Sequence, residues 1–191
     1  LYDHPQRRAR ELEEAFRDPD IDGIVAAIGG DDQIRILKHL DPRVIAENPT
    51  RFYGTSDNTS FAAFCRAHGV VSFYGGTLFT DVCEPGGIND YTREYLERAF
   101  FDESLDELRE ADRFSDEDLD WHDPANLERS PEYESSDGRR WHGSGKVEGR
   151  TWGGCLEVLA THLIADSYVP EETAGSVLLL ETSEELPEAS V

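Results

Sequence analysis

The feature that most constrains the fold is a repeated unit: a short apolar run, a stop at glycine, then a stretch with helical spacing. Ile24–Ile28 runs into Gly29-Gly30 ahead of a helical stretch from about Asp32 to His39. Arg51–Tyr53 ends at Gly54 ahead of Thr59–Ala67, and Val70–Tyr74 ends at Gly75-Gly76. A run that is apolar at every position suits a strand buried on both faces. Strands alternating with helices imply an α/β fold with a mostly parallel sheet. In such sheets ligands bind beyond the carboxyl ends of the strands, where Gly29, Gly30, Ser56 and Gly75 all fall.

The rest of the chain is punctuated differently. Pro5–Phe16 carries Ala9, Leu12, Ala15 and Phe16 on one helical face, with Arg and Glu opposite. Asp18, Asp20, Asp22 and Gly23 have the spacing of a calcium loop, but Gly29 stands where its bidentate Glu is needed, so a plain turn is the reading. Asn89–Glu110 reads as one acidic helix with Tyr91, Tyr95, Leu96 and Phe100 near one face. From Ser115 to Gly149 the pattern dissolves into Asp, Glu, Ser, Pro and Gly around Trp121 and Trp141. That stretch is either a solvated linker or a functional loop, and two tryptophans in it suit a lid that stacks on a flat group. Trp152-Gly-Gly-Cys-Leu-Glu157 opens a helix to about Ala165, and the apolar run Val177–Leu180 delivers Glu181 at its carboxyl end.

Charge excludes some classes. With 41 acidic residues against 18 basic ones the formal charge is −23, and the only lysines are Lys38 and Lys146. Binding to nucleic acid or to an anionic membrane is not expected. A lysine-poor acidic surface suits concentrated salt, which screens carboxylate repulsion, so a salt-loving source is the expectation. Cys65, Cys83 and Cys155 are scattered without a paired spacing, which points to reduced thiols rather than a disulfide framework or a zinc site. No apolar run approaches the roughly 20 residues that cross a bilayer. Cytoplasmic location is the default reading. The chain has no Met, opens directly into a helical pattern and stops soon after a strand, and it reads as an internal fragment of a longer protein.

Ser56, in Arg51-Phe-Tyr-Gly-Thr-Ser-Asp-Asn-Thr59, sits between a strand and a helix. One reading is a nucleophile elbow, which lifts a hydroxyl out of the sheet and leaves the N–H of Asp57 where an oxyanion forms. The other is an ordinary Ser/Thr/Asp helix cap.

Three segments in order, Ile21-Asp-Gly-Ile-Val-Ala-Ala-Ile-Gly-Gly30, the Ser56 stretch and Gly175-Ser-Val-Leu-Leu-Leu-Glu-Thr-Ser-Glu-Glu185, resemble the LD-carboxypeptidase family of serine peptidases. With Arg150-Thr-Trp-Gly-Gly-Cys-Leu-Glu157, the likeness is closest to the family's microcin C immunity (MccF) branch. The resemblance implies a Rossmann-like or flavodoxin-like nucleophile domain over 1–114, a linker, lid or loop insertion over 115–149, and from 150 to 191 the start of a second domain largely missing from this chain. It implies Ser56 as nucleophile and Glu181 as the carboxylate that orients a catalytic histidine, with the N–H groups of Gly30 and Asp57 as oxyanion donors. As a plain alternative, Glu181 is one more helix N-terminal charge, a role open also to Glu184 and Glu185. In the family's chain order the histidine follows the Glu, beyond Val191; His4, His39, His68, His122, His142 and His162 match no catalytic position and read as surface or helix-face residues. Gly29, Gly75, Trp121 and Trp141 are substrate-binding candidates, the tryptophans for a nucleotide part.

The implied reaction is amide hydrolysis through an acyl-enzyme, needing no metal or organic cofactor. Its substrate is an aminoacyl nucleotide such as processed microcin C; a murein tetrapeptide is the alternative, as is a noncatalytic α/β binding protein. The family also implies a homodimer. The chain departs from the peptidoglycan-recycling branch at Cys155, where Asn is expected after the glycine pair. Cys155 reads as a buried thiol and Glu157 as a first-turn helix carboxylate.

Overall fold

Two units make up the structure, a computed structural model that describes residues 3–117 and 119–183. One comprises the chain up to Thr77 together with the chain from Val147; the other is Leu78–Lys146.

In the first unit, α1 (Pro5–Arg17) starts on a proline whose missing N–H costs nothing in a first turn, and it buries Ala9, Glu13 and Phe16. Parallel strands β1 (Gly23–Val25), β2 (Arg51–Gly54) and β3 (Phe73–Tyr74) lie side by side in that order, with Gly23 opposite Arg51 and Tyr53 opposite Phe73. Both outer strands are shorter than their apolar runs. Ala26 still donates its N–H to Tyr53 O at 2.9 Å, after which Ala27–Gly30 leaves the ladder as a loop. Val70 packs in the core, whereas Val71 is exposed.

Between β1 and β2 lie α2 (Ile34–Leu37), shorter than the expected Asp32–His39, and α3 (Pro42–Glu47), which the periodicity did not reveal. The signal for α3 is Asp41-Pro42: the Asp41 carboxylate accepts the Arg43 N–H at 3.0 Å and proline takes the first position. After β2, α4 (Thr59–Ala67) spans the residues its pattern predicts and buries six of them. Phe61, fully buried, meets the rings of Phe16, Phe52 and Phe64 at centroid distances of 5.7, 4.7 and 6.1 Å.

The second unit begins its helix α5 (Asp90–Phe101) at Asn89, whose side chain accepts the Thr92 N–H at 2.9 Å. The helix stops nine residues short of the expected Glu110 because the following segment doubles back along it. Tyr95 Oη accepts the Arg109 N–H at 2.7 Å, Tyr91 Oη donates to Arg109 O at 2.8 Å, and Arg98 donates to Leu105 O at 3.2 Å. Asp106 makes the reversal at φ 51°. β4 (Arg113–Phe114), just ahead of the stretch that the sequence suggested was linker or loop, pairs antiparallel with β5 (Glu134–Ser135) inside it. Arg129 grips Glu117 there, and its hydrogen bonds, with that from the Glu132 N–H, hold the Glu117 carboxyl down at about 2.

Back in the first unit, the residues expected to open a helix at Trp152 form a strand, β6 (Thr151–Cys155), and the helix α6 (Leu156–Ala165) starts only after it. β6 pairs in parallel with β7 (Val177–Glu181). The glycines that suggested a helix start serve close approach: a Cβ on Gly153 would strike the backbone of Leu179, and one on Gly154 would lie 2.6 Å from Thr59 Cγ2. No described helix is long and apolar enough to cross a membrane.

Candidate active site

The site is built on the turn from β2 into α4. Thr55 is still extended, Ser56 turns to φ 58°, and a single 3-10 turn, Ser56–Asn58, runs into the helix. A non-glycine residue held in the left-handed region costs of order 1–3 kcal/mol, so its surroundings must impose it. They do so through Asn58, whose Nδ2 donates to Thr55 O at 2.8 Å and to Ile28 O at 3.2 Å, and through Tyr74, whose Oη accepts the Ser56 N–H at 2.9 Å. Neither Thr55 nor Asn58 caps the helix with its side chain. That task falls to Gln33, 28 residues earlier, whose Oε1 accepts the Phe61 N–H at 2.9 Å while its Nε2 donates to Asn58 Oδ1 at 2.7 Å.

The loop after β1 closes over the serine. A Cβ on Gly29 would lie 2.7 Å from Ser56 Cβ and 2.8 Å from its Oγ, so only glycine leaves the hydroxyl room. Gly30, at φ 155°, takes a conformation that side chains rarely adopt. The loop is anchored by Asp57, the residue after the serine, whose Oδ2 accepts the N–H of Asp32 at 3.0 Å and of Gln33 at 2.7 Å. Burial pushes the Asp57 carboxyl up against the pull of those two bonds, and the nearby carboxylates of Asp32 and Asp31 add to the rise. Gly29, Gly30, Ser56 and Asp57 are thus one locked assembly.

Glu181 arrives from β7, opposite Cys155 in register. Its Oε2 accepts the hydroxyl of Thr55 at 3.2 Å, which brings the carboxylate beside the residue preceding Ser56. Gly75 is not part of this cluster: its N–H reaches back to Gly54 O at 3.4 Å and its Cα faces the Tyr53 phenol. Trp121 and Trp141 belong to the second unit, where Trp121 packs on Phe79 at 5.8 Å between centroids and Trp141 is largely exposed. Glu184 and Glu185 lie outside the described residues.

His162, read from sequence as a surface or helix-face residue, is buried. Its Nδ1 lies 3.0 Å from Ser167 O and its Nε2 3.1 Å from Ser60 Oγ, so it bridges α6 to α4, and burial lowers its pKa. His68 packs edge-on against Phe64. Neither imidazole hydrogen-bonds Ser56.

Residues 1–75 match the model of the LD-carboxypeptidase N-terminal domain, and residues 148–190 that of the LD-carboxypeptidase C-terminal domain. The chain belongs to the LD-carboxypeptidase family. The two matched stretches fall in the two segments of the first unit, with the second unit between them in sequence. The chain is 32% identical over 186 residues to the microcin C7 self-immunity protein MccF of Escherichia coli, across 93% of this chain and 52% of that protein. Its structure is similar to that of an MccF-like protein from Streptococcus pneumoniae in complex with AMP, with a TM-score of 0.86 and 31% identity over 97% of this chain and 60% of that one. MccF in complex with aspartyl sulfamoyl adenosine gives 0.78 and 30% identity over 92% and 52%. The chain spans about half the length of the curated relatives it matches.

Cys155, where Asn was expected for the peptidoglycan-recycling branch, has local partners. Its N–H donates to Thr59 Oγ1 at 2.9 Å, and its thiol donates to Glu157 Oε2 at 3.0 Å. Burial first, and then the Glu157 carboxylate, raise the thiol pKa, so Cys155 is a poor nucleophile. Glu157 does more than favour a helix start. Its Oε1 accepts both the N–H and the hydroxyl of Ser183, at 2.8 and 2.7 Å, which fixes the chain two residues after Glu181. Desolvation works to raise its carboxyl, but the bonds from Cys155 and Ser183 prevail and hold it at about 2.

Proposed function

We propose that this LD-carboxypeptidase-family protein hydrolyses an amide bond through an acyl-enzyme on Ser56, and that its substrate is an aminoacyl nucleotide of the microcin C type. The observation that carries this reading is the strained turn at Ser56 with the Gly29 backbone against its Oγ. Strain at a half-buried hydroxyl, imposed by hydrogen bonds from Asn58 and Tyr74, is expected where a nucleophile is pre-organised.

In this mechanism Ser56 Oγ attacks the scissile carbonyl and its proton passes to the histidine that follows Glu181 in the family's order, beyond Val191. Glu181 accepts the other imidazole N–H, fixing the tautomer and stabilising the imidazolium. The developing oxyanion is held by the N–H groups of Gly30 and Asp57; one such donor is worth roughly 10²–10³ in rate. The C–N bond then breaks, the imidazolium gives its proton to the leaving nitrogen, and water attacks the acyl ester to restore Ser56. No step calls for a metal or an organic cofactor. The nucleotide preference rests on the relatives bound to AMP and to aspartyl sulfamoyl adenosine. Trp121 and Trp141 are the proposed stacking groups for the base.

The test is hydrolysis of aspartyl sulfamoyl adenosine and of a murein tetrapeptide by the intact protein, with Ser56→Ala and Glu181→Ala in parallel. Turnover of the nucleotide compound that both substitutions abolish supports the reading. Turnover of the tetrapeptide alone moves the substrate to murein. Absence of any Ser56-dependent turnover leaves a noncatalytic binding protein.

A further inference from the structure

The N–H of the serine at an elbow need not be occupied, yet in this protein it is. Tyr74, the last residue of β3, brings its phenol within 2.9 Å of Ser56 N and accepts that hydrogen bond. The hydroxyls of Thr55 and Thr59 also act on this oxygen, pulling its pKa down, while the Glu181 carboxylate pushes it up. Thr55 Oγ1 donates to Glu181 Oε2, and Thr59 Oγ1 accepts the N–H of Cys155, the residue opposite Glu181 in the β6–β7 register. One assignment of protons satisfies every group: Tyr74 Oη accepts from Ser56 N–H and from the Thr59 hydroxyl, and donates to Thr55 Oγ1, which donates to Glu181. Burial pushes the phenol's pKa up, so it keeps the proton this assignment needs.

These contacts join two sheets. Ser56 follows β2, Tyr74 closes β3, and Glu181 closes β7. We propose that Tyr74 is a positioning residue that holds the Ser56 turn in its left-handed conformation and, through Thr55, ties it to Glu181. Nucleophile and orienting carboxylate then share one polar brace and keep their relative placement through the reaction. The N–H of Ser56 serves the brace, which leaves those of Gly30 and Asp57 for the oxyanion. The role assigned to Tyr74 rests on the reading of Ser56 as nucleophile.

The experiment uses the intact protein and the substitutions Tyr74→Phe, Thr55→Val and Ser56→Ala. Tyr74→Phe keeps the ring and removes only the hydroxyl, as acceptor from Ser56 and as donor to Thr55. The expected result is amide hydrogen exchange at Ser56 faster by tenfold or more, with exchange at Phe64 in the middle of α4 unchanged. On whichever substrate the protein turns over, kcat falls roughly 10- to 100-fold with KM within about threefold, the loss expected when a reacting group is misplaced by about an ångström. Thr55→Val gives a similar loss, and the double variant is no worse than either single one because both cut the same brace. Unchanged exchange at Ser56 in Tyr74→Phe overturns the proposal. So does parental kcat in Tyr74→Phe while Ser56→Ala is inactive, and that outcome leaves the nucleophile reading standing. Turnover that survives Ser56→Ala removes the nucleophile reading and this proposal together.

Discussion

Ser56 and Glu181 are brought together through Thr55 but are placed by different means. On the side of the serine, the loop after β1, the 3-10 turn and the helix start are held by side chains that reach across 24 to 30 residues: Asp57 to Asp32 and Gln33, Gln33 to Asn58 and Phe61, Asn58 to Ile28. On the side of Glu181, a two-stranded ladder does most of the placing. Leu178, Leu179 and Leu180 of β7 are each about half exposed, at 51%, 55% and 52%, and the strand is fixed by register, by the close approach at Gly153 and by the bond from Thr55. Ser56 thus sits in an over-determined turn, whereas Glu181 depends on strand register, where a slip of one residue would turn it to the other face. α4 is where the two meet, through Thr59 to Cys155 and Ser60 to His162.

The comparison breaks most readily at Asp57. Asp57→Ala leaves two loop N–H groups without their acceptor; the Gly29-Gly30 loop shifts and turnover falls by about 10²–10³, with roughly 1–3 kcal/mol lost per orphaned donor. Initial rates and a denaturant midpoint check both, and a rate within twofold of the parent would mean the clamp does not set the oxyanion geometry. Gly29→Ala comes next: the added methyl displaces the Ser56 hydroxyl, and kcat drops by about 10²-fold at nearly parental stability.

On the other side, Glu157→Gln tests what fixes the end of β7. The carboxyl is held at about 2 against a usual 4.5. Its contribution is therefore complete above about pH 4.5 and is lost as pH falls toward 2. Unfolding free energy measured across that window should flatten in Glu157→Gln, with about 1 kcal/mol lost at neutral pH. The smallest effect belongs to the α4–α6 bridge. The pKa of His162 is lowered from 6.5, so the folded state resists its protonation and stability declines as pH falls below about 6.5. His162→Gln should remove that part of the slope in melts between pH 7.5 and 5.5.

Much of the first sheet could be read along the chain. Apolar runs stopped by glycine located β1, β2 and β3, and the 3.6-residue spacing placed α1 and α4 to within a residue or so. Local spacing overran where a distant segment intervened: the predicted helix through Glu110 ends at Phe101 because Tyr91 and Tyr95 bind the returning chain. It misread Thr151–Cys155, since glycines that permit a backbone to approach β7 look the same in sequence as glycines that open a helix. The Asp41-Pro42 start of α3 was present but too short to register as a period.

The same division holds in the candidate site. Ser56, Gly30 and Glu181 were legible because each stands at the end of an apolar run. Tyr74, Gln33 and Glu157 were not, because each acts on a partner 18 to 28 residues away that no repeat announces. The sequence by itself determined the strand–glycine–helix units and the hydroxyl at the turn, since these depend on dihedral preference and burial within a few neighbouring residues. Only the tertiary structure decided which groups hold that turn and carry it to Glu181, since a hydrogen bond needs two groups within about 3 Å and chain separation says nothing of that distance.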